Sequence, residues 1–248
     1  MGNTIADRHG RRASATCHAG DRTTKSLLGY GVLAGPFYVF VVLVQAFTRP
    51  GFGLLHDDAS LLSNGSLGWV QIANFVLTGL MVIAFAVGVH RALRAGIAAT
   101  WGPRLLGLFG FALVGAGLFV ADPMNGFPTG TPVGHAAVLS LHGTLHIACA
   151  GTGFLGLVAA CFVIARRLSS EGRVRLAMFS RATGVIFLAG FVTIASGSSS
   201  TAVVGAFWLA LLVAWSWVAI LAVHLYRQAA WVPVTTVNNV TGGAEMPA

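Results

Sequence analysis

Apolar residues in this chain are gathered into long blocks separated by short polar stretches, with no sustained strand-like alternation. The blocks run Leu27 to Phe47, Trp69 to His90, Leu105 to Ala121, about Val138 to Ala165, Ala182 to Ser196, and Val203 to Tyr226. A helix rises about 1.5 Å per residue and the hydrocarbon core is about 30 Å thick, so about 20 apolar residues cross it. Each block therefore predicts one transmembrane helix. The fourth is long enough to project beyond the bilayer, and the fifth is the shortest, finishing in the run SGSSS. The predicted fold class is all-α, a polytopic bundle of six spans. Around the domain at 27–227 the reading places a basic tail without structure at 1–26 and a polar one at 228–248.

Composition narrows the class. Charged residues make up only 9% of the chain and hydrophobic ones 56%, with a mean hydropathy of +0.79. Soluble domains carry about 25% charged residues, so this chain cannot clothe a water-facing surface. The net charge of +8 raises the question of nucleic acid. Its placement answers against that partner, because the basic residues flank apolar blocks instead of forming a patch. All but one of the 15 Lys and Arg residues fall on one side of the predicted membrane, and Arg49 is the exception. Under the positive-inside rule both termini are cytoplasmic, and the expected location is the plasma membrane. The lipid bilayer is the first partner implied.

Candidate chemistry concentrates between Asp122 and His146. His142 and His146 are four residues apart, hence on one helix face. Asp122 lies 18 residues beyond Arg104, and His146 lies 20 before Arg166. At the helical rise both reach about 27–30 Å from the basic side, the far edge of the hydrocarbon. Gln71 and Asn74 on the second block, and Ser196 on the fifth, fall near the same depth. Polar groups facing lipid are costly, so these six predict a shared pocket open to the non-cytoplasmic side. Each also has a plainer reading. Asp122 before Pro123 can end a helix, Gln71 and Asn74 can join helices, and His142 can be interfacial.

Three functions remain open on these residues. One is a binder or transporter of a small or lipid-derived molecule. Another is a metal-dependent hydrolase, with His142, His146 and Asp122 holding zinc and a water completing the set. The third is a structural or accessory role. Haem between His90 and His224, at the basic helix ends, is the weaker cofactor reading. The two cysteines of the fourth block, Cys149 and Cys161, are about 18 Å apart along a helix, too far for a disulfide.

The stretches LSNGSLGWVQIANFVLTGL (Leu62 to Leu80), DPMNGFPTG (Asp122 to Gly130) and HGTLH (His142 to His146) resemble the membrane family called domain of unknown function 998. The likeness implies an integral membrane protein of six or seven spans, and it implies no reaction.

Overall fold

The computed structural model describes residues 4–134 and 138–229, with side chains described from Arg22 onward. Six long helices make up the fold: α1 (Thr4–Thr48), α2 (Gly68–Ala92), α3 (Ile97–Leu118), α4 (Leu141–Ser170), α5 (Val174–Ala195) and α6 (Thr201–Ala229). All six are long and apolar enough to cross a membrane, α1 through its Arg22–Thr48 part. Among the described residues the architecture is all-helical. Each helix packs on its neighbour in sequence, and α1 closes against α6, so the six form a ring. Three connections (49–67, 119–140 and 196–200) gather at one end, called here the loop end. The other end carries the basic residues.

Three boundaries differ from the hydropathy reading. Helix α1 is helical from Thr4, within the stretch predicted to lack structure, because extending an existing helix costs far less than nucleating one. Helix α5 starts at Val174 and takes in Arg175 and Arg181, so the shortest predicted span becomes a helix of 22 residues. Long arginine stems lie along the helix while their heads reach the polar boundary, and hydropathy averages cut such turns away. Helix α4 starts at Leu141, because the Ser140 hydroxyl accepts from Gly143 N at 3.0 Å as its N-cap. Most of the tail predicted at 228–248 lies outside the described residues.

Small residues let the helices approach. A β-carbon on Gly79 would come within 2.6 Å of the Gly110 carbonyl, and one on Gly88 within 2.9 Å of the Leu28 nitrogen. These seams join α2 to α3 and α2 to α1 by close backbone contact. Toward the basic end the ring is filled: Leu28, Phe85, Val89, Leu106, Ile164 and Trp217 are all 1% exposed or less. One polar chain there ties three helices, while His224 Nε2 is buried without a hydrogen-bond partner. Trp217 Nε1 donates to Ser180 Oγ at 2.8 Å, and that hydroxyl donates to the Cys161 carbonyl at 2.7 Å, linking α6, α5 and α4.

Candidate functional site

The loop end is closed by a clasp between the first two connections. Arg49 follows α1 and is 9% exposed; its guanidinium donates to the carbonyls of Leu62 and Asn64 and lies 4.8 Å over the Phe127 ring. Burial lowers its pKa, yet arginine starts so high that it keeps its charge. Hydrogen bonds from a charged donor contribute about 1.5–3 kcal/mol each, so this residue is a principal tie of the loop. The Asn64 side chain donates to the Ala121 carbonyl at 3.1 Å, and Phe52 meets Phe127 edge-on at 5.3 Å. Phe127, 1% exposed, precedes a cis bond to Pro128. Asn125 and Gly126, at φ 55 and 82, turn the chain tightly before it. The two distinctive sequence stretches are thus the two halves of one fastening.

Asp122 and His146 bind the ends of adjoining helices. The Asp122 carboxylate accepts from Ser140 N at 2.8 Å and from Ser140 Oγ at 2.5 Å, placing negative charge at the start of α4. That end of a helix is electropositive, so the carboxylate is stabilised there. A β-carbon at Gly143 would collide with the same carboxylate, which accounts for the glycine in HGTLH. His146 is 6% exposed, and its Nδ1 donates to the Ala116 carbonyl at 2.9 Å and the Phe119 carbonyl at 2.8 Å. These carbonyls end α3, where the last turn has no intrahelical donors left. The Phe75 ring lies 6.1 Å away, edge-on to the imidazole.

Below the clasp is a cavity of about 540 Å³, within the size range of small-molecule sites. All six helices contribute walls. Trp215, the deepest α6 residue lining it, is 14 positions after Thr201, so it extends about 20 Å inward. Its walls are apolar and aromatic. Phe154 meets Phe187, Phe191 and Phe207 at 5.1, 5.3 and 5.8 Å on one side. Trp215 meets Tyr38 at 5.6 Å and Phe109 at 5.8 Å on the other. Polar groups gather at the mouth: His56, Asp58, Ser60, Asp122, Asn125, Ser198 and Ser199. At the floor, Trp215 Nε1 is buried without a hydrogen-bond partner.

Of the six predicted pocket residues, the structure brings Asp122 and His146 to this cavity. Gln71 and Asn74 are 0% and 1% exposed and join helices instead. Gln71 Oε1 accepts from Gln45 Nε2 at 2.9 Å and Asn74 Nδ2 at 3.2 Å, and Asn74 Nδ2 also donates to the Tyr38 carbonyl at 3.2 Å. Depth along a helix fixed their level but not which way they face. His142 is exposed, beside the Phe119 ring at 5.9 Å. Ser196 is exposed and donates to the Thr193 carbonyl at 2.6 Å, while Ser198 and Ser199 line the mouth in its place. Among the described residues no group of three or more His, Cys, Asp and Glu side chains is placed to hold a metal ion. The zinc set of His142, His146 and Asp122 is therefore not assembled: Asp122 caps α4, His146 Nδ1 caps α3, and His142 is exposed beside the Phe119 ring.

The residues that sequence reasoning missed are instructive. Arg49 was visible only as the lone basic residue on its side, a signal read as topology. Asp57, in the first loop, is 2% exposed and accepts from Gly53 N at 2.7 Å, with His56 Nδ1 at 3.0 Å. The aromatic walls left no separate trace, because every apolar residue in a span looks alike to a hydropathy scale.

A ring of six spans around a half-depth apolar cavity defines a multi-pass membrane protein. The family described as "Protein of unknown function (DUF998)" matches residues 32–224, most of the chain and at least part of each span, and the chain belongs to it. It matches no curated protein and no solved structure.

Proposed function

We propose that this protein binds a small or lipid-derived amphiphile in the cavity, which opens on the non-cytoplasmic side of the plasma membrane. The observation that carries the reading is the cavity itself: about 540 Å³ of aromatic-walled space with a polar mouth. Orientation follows from charge. The basic end holds all the Lys and Arg of 22–229 except Arg49, so that end and both termini face the cytoplasm. Receiving and holding fit this interior better than conduction, because the basic half is filled by side chains such as Leu106, Ile164 and Trp217. The hydrolase alternative finds no support in the arrangement of His142, His146 and Asp122.

The test is tryptophan quenching by an alkyl chain brominated at its far end, with the protein in phosphatidylcholine nanodiscs. Trp208 and Trp215 line the cavity, so a bound chain quenches them at saturating, stoichiometric dose. A β-carbon at Gly151 would meet only Phe191, at 3.6 Å, so Gly151→Leu places its side chain into the cavity. The reading expects saturable quenching in the wild type and none in that variant. Quenching that rises linearly with bilayer bromine, equally in both proteins, would contradict it.

A further inference from the structure

We propose that the occupant is an uncharged amphiphile bearing a hydroxyl group, a long-chain or polycyclic alcohol, whose O–H donates to His146 Nε2. This rests on the cavity-binding reading and adds the chemistry of the head group. Both partners of His146 Nδ1 are carbonyl oxygens, which only accept, so Nδ1 carries the hydrogen. In a neutral imidazole the other nitrogen is then a bare lone pair. Nε2 has no hydrogen-bond partner among the described residues, and it is not one of the sealed-off atoms without partners. The side chain is 6% exposed and lines the cavity, so its free acceptor is presented to whatever enters. Because the ring is clamped at two carbonyls from α3, it cannot swing out to water.

Charge at the mouth selects the head. Among the described residues no Lys or Arg lines the cavity, whereas Asp58 and Asp122 do, so a carboxylate or phosphate head would meet like charge without a counter-ion. Both Asp122 oxygens already accept from Ser140, which leaves that carboxylate poorly placed to repay the desolvation of an ammonium head. A hydroxyl carries neither penalty and supplies the donor that Nε2 lacks.

The experiment uses four chains of equal length, each brominated at the far end: an alcohol, its methyl ether, an amine and the plain alkane. Binding to the wild-type protein in phosphatidylcholine nanodiscs is read by quenching. The alcohol is expected to bind about tenfold more tightly than the ether, which cannot donate. His146→Phe should bring alcohol and ether to within about twofold while the alkane still binds. The alcohol–ether comparison needs only the wild type, so it decides the matter even if that variant fails to fold. Saturable binding with equal affinity for alcohol, ether and alkane would overturn the head-group assignment and leave the cavity reading standing. Tightest binding by the amine would overturn it too, showing a cationic site. No saturable binding by any chain would remove both readings together.

Discussion

Trp215 and Trp217 are two residues apart on α6 and almost equally buried, at 5% and 1% exposed, yet they lie in opposite surroundings. The Trp217 indole donates into a chain that runs through Ser180 to the Cys161 carbonyl, within a filled interior. The Trp215 indole lines the cavity and donates to nothing. Residues at this spacing face opposite sides of a helix, so one points into the α5 seam and the other toward the middle of the ring. The contrast holds for the two halves of the bundle. The half at the basic end is packed with side chains and is a scaffold. The half under the clasp leaves an open, aromatic-walled volume, which the proposed reading takes as the binding site.

The contrast is open to mutation. The largest expected effect is Trp217→Ala, which deletes a filled side chain and strips Ser180 of its donor; it should cost about 3–5 kcal/mol, read as thermal unfolding in detergent. A loss below about 1 kcal/mol would mean that the basic half is looser than described. Next come two matched substitutions. Gly88→Leu would press a side chain into the α1 backbone and should cost about 3 kcal/mol. Gly151→Leu has room, so its cost should stay under about 1 kcal/mol, and similar costs for the pair would erase the distinction between the halves. Asp122→Asn keeps the shape but weakens the charged cap on α4; about 1 kcal/mol is expected from the same unfolding assay. Smallest is Ser196→Ala, which removes an exposed hydroxyl just past α5, bonded to the Thr193 carbonyl and Ser198 N, and should change stability by under about 0.5 kcal/mol.

These expectations also mark how far the sequence could be read. Span number was legible because the hydrocarbon imposes a length on every apolar block. The ends were less so: Arg175 and Arg181 belong to α5 although their charge argued for a loop. Depth was legible too, since Gln71, Asn74, Asp122 and His146 all fall toward the loop end. Facing was not. Gln71 and Asn74 turn into the α1 seam while Asp122 and His146 turn toward the cavity, and the helical rise says nothing about that rotation. The clasp was hidden for another reason. Arg49 spends its charge on backbone carbonyls of residues 62 and 64, and such partners carry no side-chain signature. The motifs that identify the family are largely this fastening, which explains why they specify a fold without naming a reaction.

The most direct measurement is native mass spectrometry of the protein released from its own membranes in a mild detergent, wild type beside Gly151→Leu. The account predicts one uncharged amphiphile retained per wild-type chain and none on the variant, with both proteins equally folded. Bare wild-type protein, or the same adducts on both, would contradict the claim that the hollow half is a binding site.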